Sequence, residues 1–136
     1  MPVLQAFLVE DSPVIRENLI AALEELAPVH VVGTAEGEDS AVQWLTRPGR
    51  RCDLVITDIF LKHGSGLGVL RAMADHGQGT RLIVLSNYAT PDMRRKCLAL
   101  GASRVFDKSN DIDALIQYCS ALADGAQAAC VLQPPA

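Results

Sequence analysis

Five short runs of apolar residues, separated by longer amphipathic stretches, constrain the fold of this chain more than any other feature. The runs are Ala6–Val9, Val29–Val32, Leu54–Ile56, Leu82–Leu85 and Arg104–Phe106. Apart from His30 and Arg104 they are apolar at successive positions, which is typical of strands covered on both faces, as in a parallel sheet. We therefore predict an α/β domain with a doubly wound parallel sheet of five strands.

Helix signals occupy the stretches between these runs. Ser12-Pro13 and Thr90-Pro91 each combine a capping hydroxyl with a proline in the first turn, and Asn110 or Asp111 can cap the last helix. The other two helices are predicted from about Asp39 to Thr46 and from about Gly66 to His76. Strands and helices of similar size thus alternate along the chain.

The length of 136 residues suits one domain, which we place at residues 1–125, followed by a short loose tail at residues 126–136. No apolar run is long enough to cross a membrane, and no basic segment precedes the first apolar residues, so we expect a cytoplasmic protein. The net charge of −4 opposes direct binding to nucleic acid. The four cysteines lack the close spacing of a zinc or redox site and are interpreted as reduced thiols.

Polar residues follow four of the predicted strands. Glu10-Asp11 follows the first strand, Asp58 the third, Ser86 ends the fourth and Lys108 lies just beyond the fifth. Ligands of open parallel sheets bind beyond the carboxyl ends of the strands, so these residues are candidates for one shared site. Each has a structural alternative, because acids cap helices, serines form turns and lysines are often solvated.

The combination favours phosphoryl chemistry. If the first and third strands are neighbours, Glu10, Asp11 and Asp58 bring three carboxylates together, and their repulsion calls for a hard cation such as Mg²⁺. A metal, the Lys108 ammonium and the Ser86 hydroxyl would together neutralise and position a phosphoryl group.

These segments resemble bacterial response regulator receiver domains of two-component signalling. The resemblance rests on Leu8-Val9-Glu10-Asp11-Ser12, Leu54-Val55-Ile56-Thr57-Asp58-Ile59, Ser86 and Phe106-Asp107-Lys108, with Gly64-Ser65-Gly66-Leu67 similar to the loop before the third helix. It implies a flavodoxin-like fold with strand order 2-1-3-4-5 and five helices. It also implies Mg²⁺ as cofactor and a histidine kinase or histidine phosphotransfer protein as phosphoryl donor.

The resemblance also implies a role for individual residues. Asp58 matches the phosphoacceptor and a metal ligand, Asp11 a direct metal ligand, and Glu10 a ligand that acts through water. The Phe60 backbone carbonyl matches a further ligand. Ser86 and Lys108 match the residues that contact the phosphate and report its presence.

Three neighbouring residues are expected to adjust this switch: Asn87, Tyr88 and Val105. Val105 stands where many receivers carry a switching Tyr or Phe. Phe106 follows it, but strand alternation should point Phe106 to the opposite face of the sheet. We therefore do not expect the Phe106 ring to replace the usual aromatic switch.

We interpret the chain as a single-domain response regulator, not a turnover enzyme, that signals to an unidentified downstream protein through a phosphorylation-controlled surface. One alternative is the receiver part of a larger DNA-binding regulator. A second is a phosphohydrolase that uses Asp58 as nucleophile, which is disfavoured because no suitably spaced second aspartate follows Asp58.

Overall fold

The structure is a computed structural model that describes residues 3–47, 52–76, 80–87 and 89–131, with the side chains of residues 75–76 and 125–131 outside the description. The strands are β1 (Leu4–Val9), β2 (Val29–Ala35), β3 (Leu54–Thr57), β4 (Arg81–Ser86) and β5 (Arg104–Asp107). The helices are α1 (Pro13–Leu26), α2 (Glu38–Thr46), α3 (Gly66–His76), α4 (Pro91–Ala99) and α5 (Ile112–Val131).

The strands form one parallel sheet in the order β2-β1-β3-β4-β5. This order and the alternation with helices confirm the predicted flavodoxin-like fold. Within the described part of the chain, no helix combines the length and apolar character needed to cross a bilayer.

Successive strand residues point to opposite faces of the sheet and contribute to two hydrophobic cores, one on each face. Leu8 of β1 belongs to the core that contains residues of α1 and α5, whereas its neighbour Phe7 belongs to the core that contains residues of α2, α3 and α4. Phe7 also stacks on Trp44, with ring centroids 4.4 Å apart. Val105 and Phe106 lie in different cores, so the predicted opposite orientation of these two side chains is confirmed.

The predicted helix starts are confirmed at α1 and α4. The Ser12 hydroxyl accepts a hydrogen bond from the Ile15 amide at 3.3 Å, and the Thr90 hydroxyl accepts one from the Met93 amide at 3.2 Å. In both helices a proline occupies the first turn, where its missing N–H has no partner to lose.

The last helix is longer than we predicted. We expected irregular chain from Ala126, but α5 continues to Val131. Alanine has the highest helix propensity, and the segment after Gly125 contains Ala126, Ala128 and Ala129, which favours continuation of the helix. Residues 132–136 lie outside the described part, and the division into a domain at 1–125 and a tail at 126–136 stays a prediction.

Candidate functional site

The register of the central strands brings two acidic residues side by side. Val9, at the end of β1, pairs with Thr57, at the end of β3, so that Glu10 and Asp58 follow at the same edge of the sheet. The Asp58 amide donates to the Val9 carbonyl at 3.1 Å, which fixes where the Asp58 side chain starts. The sequence-based prediction of the site requires that the first and third strands are neighbours, and the pairing of β1 with β3 confirms this.

A second pair of strands delivers the lysine. Ser86, at the end of β4, pairs with Asp107 of β5, and the Lys108 amide donates to the Ser86 carbonyl at 3.0 Å. Ser86 is fully buried. This backbone contact ties the start of the Lys108 side chain to the end of β4.

The Lys108 ammonium bridges both acidic side chains. Its nitrogen lies 2.7 Å from Glu10 Oε2 and 2.7 Å from Asp58 Oδ2. The three side chains are almost removed from water, with exposed fractions of 9% for Lys108, 3% for Glu10 and 10% for Asp58. Charges at such short separation that are also shielded from water interact much more strongly than the charges of a surface ion pair.

Burial and charge act in opposite directions on the ionisation of this group. Burial raises the pKa of Glu10, and the hydrogen bond and charge of Lys108 only partly offset it. For Lys108, burial alone would lower the pKa, but hydrogen bonds and charges from Asp58 and Glu10 outweigh burial and raise it. Lys108 is therefore firmly protonated at neutral pH and supplies the local positive charge.

The segment after β3 contacts one further carboxylate oxygen each of Asp11 and Asp58. The Lys62 amide donates to Asp11 Oδ2 at 2.8 Å, and the Phe60 amide approaches Asp58 Oδ1 at 3.4 Å. The Gly66 amide then closes the segment by donating to the Ile59 carbonyl at 2.8 Å. A side chain at Gly66 would collide with the Asp58 carbonyl, so this close return of the chain requires glycine.

These elements enclose an open cleft of about 220 Å³. The residues that line it are Glu10, Asp11, Ser12, Ile15, Asp58, Phe60, Asn87 and Lys108. Six of the residues that the sequence singled out thus share one cleft, whereas their individual roles stay predictions.

The other three predicted residues are not among those that line the cleft. Ser86 is joined to the cleft through its backbone contact with Lys108. Val105 is buried in a hydrophobic core, and its carbonyl accepts a hydrogen bond from Arg94 at 2.8 Å. Tyr88 lies outside the described residues.

The possible ligand atoms of the cleft are oxygens, the type that a hard cation prefers. Carboxylate and carbonyl oxygens are the ligands that Mg²⁺ prefers, and Glu10, Asp11, Asp58 and the Phe60 backbone supply them. In the described ranges, however, no three Asp, Glu, His or Cys side chains are grouped as a metal would require. The sequence predicts a cation such as Mg²⁺ among Glu10, Asp11 and Asp58; in this structure the Lys108 ammonium bridges Glu10 and Asp58, and metal binding by these residues stays a prediction.

Several contacts at the site carried no sequence signal. Arg16 of α1 donates to the Glu10 carbonyl at 3.0 Å and to Glu36 at 3.3 Å. Lys62 contributes a backbone amide, which every residue type except proline supplies. Ser12 was predicted as a helix cap, but its amide also approaches Glu10 Oε1 at 3.4 Å.

A doubly wound sheet with acidic residues and a lysine at its carboxyl edge is the arrangement that the sequence predicts for a phosphoryl-accepting signalling domain. Comparison with known proteins gives the family directly: the model of the response regulator receiver domain matches residues 6–120. The chain belongs to this family. Receiver domains are phosphorylated by kinases and generally bind Mg²⁺ at the phosphorylation site.

Two curated relatives illustrate the match. A transcriptional regulatory protein of Picosynechococcus is 31% identical over 85% of this chain and 47% of its own length. The DNA-binding transcriptional activator DevR/DosR of Mycobacterium tuberculosis is 27% identical over 73% of this chain and 45% of its own length. The chain therefore spans less than half of each of these relatives.

A solved structure supports the fold. The receiver domain of Francisella response regulator 1452 superposes with a TM-score of 0.79 at 18% identity, over 90% of this chain and 98% of that domain. At this identity the likeness concerns the fold alone.

Proposed function

We propose that this chain accepts a phosphoryl group on Asp58 from a histidine kinase or histidine phosphotransfer protein, and that the modification controls a protein-binding surface. The observation that carries the proposal is the placement of Asp58: its carboxylate lines an open cleft, and its Oδ2 lies 2.7 Å from the buried Lys108 ammonium. The acceptor is thus reachable, and a positive charge stands beside it.

The transfer follows from this arrangement. A carboxylate oxygen of Asp58 attacks phosphorus, the new O–P bond forms, and the P–N bond to the donor histidine breaks with its electron pair going to the imidazole nitrogen. The Lys108 ammonium compensates charge on the phosphoryl oxygens, which is the main contribution a protein makes to such transfers.

Asp11, Asp58 and the Phe60 carbonyl would hold Mg²⁺ directly, with Glu10 acting through water. When bound, the metal supplies positive charge that offsets the repulsion between the acidic cleft and the incoming phosphoryl group. In this structure Asp11 Oδ2 accepts the Lys62 amide, so a donor of the chain itself occupies one of the oxygens available to the metal.

The output has two candidate forms. One is a separate downstream protein, which fits a single-domain regulator in the cytoplasm. The other is an attached DNA-binding domain, which is favoured by the name of the relative DevR/DosR and by the short span of this chain within it. In both forms the receiver performs the same chemistry and is not a turnover enzyme.

The test uses the purified chain with acetyl phosphate, with and without Mg²⁺. We expect one phosphoryl group per chain by intact mass, only when Mg²⁺ is present, and no sustained release of phosphate from a small phosphoester such as p-nitrophenyl phosphate. Steady turnover of the phosphoester would favour the phosphohydrolase instead. Absence of any label with Mg²⁺ present would contradict the proposal.

A further inference from the structure

The carboxylate of Glu38 connects two helices that are distant in sequence. Glu38 is the first residue of α2, and its Oε1 accepts the amide of Ser65, just before α3, at 2.9 Å. Its own amide donates to the His63 carbonyl at 3.0 Å. One residue of α2 thus holds the end of the β3–α3 loop, residues 58–65, through two hydrogen bonds.

Glycines make room for this carboxylate. A Cβ at Gly68, in the first turn of α3, would collide with the Glu38 carboxyl group, and a Cβ at Gly64 would collide with the Glu38 side chain. A negative charge against the first turn of a helix is favourable, because the aligned peptide dipoles of the helix place partial positive charge at that end. The Glu38 side chain therefore occupies a space that residues larger than glycine at positions 64 and 68 would fill.

The same loop reaches the cleft with its other end. Ser65 pairs with Phe60 across the loop, and the Ser65 hydroxyl donates to the Ile59 carbonyl at 3.3 Å. Beyond them, the Phe60 amide faces Asp58 and the Lys62 amide binds Asp11. The contacts run without interruption from Glu38 through Ser65 to the proposed metal ligands.

We propose that Glu38 is a positioning residue for the cleft: it fixes the β3–α3 loop so that the Phe60 carbonyl and the Lys62 amide stay at the acidic cluster. Glu38 is not among the residues that line the cleft, so its effect on the cleft is exerted through the loop. The effect of Glu38 on Mg²⁺ binding rests on the function proposed above. The contact between Glu38 and the loop does not depend on that function.

The loop contact is tested first, without metal, by a double-mutant cycle on thermal unfolding. Gly68→Ala should be less favourable for the unfolding midpoint in the wild type than in Glu38→Ala, because in the wild type its methyl group has to displace the Glu38 carboxylate. In the Glu38→Ala background the same change should raise the midpoint, because the methyl group enters free space and alanine favours the helix. A Gly68→Ala effect of equal sign and size in both backgrounds would overturn the contact.

The positioning role is then tested by Mg²⁺ titration monitored by amide NMR shifts. We expect about tenfold weaker binding in Glu38→Ala, near wild-type binding in Glu38→Gln, which keeps the acceptor oxygen, and no change in Asp39→Ala, an exposed neighbour in the same first turn. The Lys62 amide should also exchange its hydrogen faster in metal-free Glu38→Ala.

The outcomes separate the two proposals. Wild-type affinity in Glu38→Ala, unchanged Lys62 exchange, or an equal loss in Glu38→Gln would each overturn the positioning role. Absence of Mg²⁺ binding by the wild type would contradict the proposed function, and the unfolding cycle and the Lys62 exchange would still decide the inference about Glu38. If Glu38→Ala does not fold, Gly68→Ala replaces it, with the same loss of affinity expected.

Discussion

The Lys108 ammonium lies 2.7 Å from a carboxylate oxygen of Asp58 and 2.7 Å from one of Glu10, which makes it a shared counter-ion for two buried acids. Because burial makes each charge costly, neither carboxylate is well accommodated without this lysine. A lysine in this position also competes with any metal that needs the same oxygens.

Removing the shared counter-ion should destabilise the metal-free protein. We expect Lys108→Met to cost about 3 kcal/mol of unfolding free energy, since two buried carboxylates lose their cation. The exposed Lys96→Met on α4 is the matched control and should cost less than about 0.5 kcal/mol. Denaturant unfolding of the three proteins measures both values, and equal stability of Lys108→Met and Lys96→Met would contradict the account of Lys108.

Added Mg²⁺ should partly replace the missing lysine. The metal should raise the unfolding midpoint of Lys108→Met more than that of the wild type, because no ammonium competes for Glu10 and Asp58. Thermal unfolding with and without Mg²⁺ measures the two increments. A larger increment in the wild type would show that Lys108 and the metal do not compete.

The stabilisation by Lys108 should depend on pH at the alkaline end. Its pKa is raised above the ordinary 10.5 in the folded chain, so the folded state holds the proton more tightly than the unfolded state. The contribution is therefore complete below pH 10.5 and is lost as the pH rises through the higher folded value. The stability difference between wild type and Lys108→Met should stay constant from pH 8 to about pH 10 and shrink above it. A difference that grows with alkaline pH would have the wrong sign.

The sequence predicted the shared location of the cleft residues because the order of the strands decides which carboxyl ends of strands lie next to one another. Glu10, Asp58 and Lys108 each follow a recognisable apolar run, and the parallel register brings those positions to one edge. The pairing of Lys108 with both acids was not predicted, since it depends on how a long flexible side chain lies. The contact of Asp11 with the Lys62 amide had no signal either, because a backbone donor leaves no trace in residue type.

The proposed metal ligands should differ in importance. Asp11 lines the cleft and its Oδ2 accepts the Lys62 amide, whereas Glu10 Oε2 is committed to the charged Lys108 ammonium. We therefore expect Asp11→Asn to weaken Mg²⁺ binding by at least tenfold and Glu10→Gln to weaken it less. Amide NMR titrations give both dissociation constants, and a larger loss in Glu10→Gln would reverse the assignment.

Ser86 should transmit phosphorylation without being needed for it. It is buried at the end of β4, and its carbonyl accepts the amide of Lys108, so Ser86 is joined through the backbone to the lysine that would contact a phosphoryl group. Ser86→Ala should keep the labelling of Asp58 but reduce the beryllofluoride-induced NMR shifts from Met93 to Leu122 by about half or more. Shifts equal to those of the wild type would exclude coupling through Ser86.

The identity of the phosphoacceptor is the central claim, and chemical mapping tests it most directly. The chain is phosphorylated with acetyl phosphate and Mg²⁺, the acyl phosphate is reduced with borohydride, and the modified residue is read by peptide mass spectrometry. We predict homoserine at position 58 alone, the same result in Asp39→Asn, an exposed control on α2, and no modification in Asp58→Asn. Reduction product at any other acidic residue of the wild type, or labelling that persists in Asp58→Asn, would contradict the account.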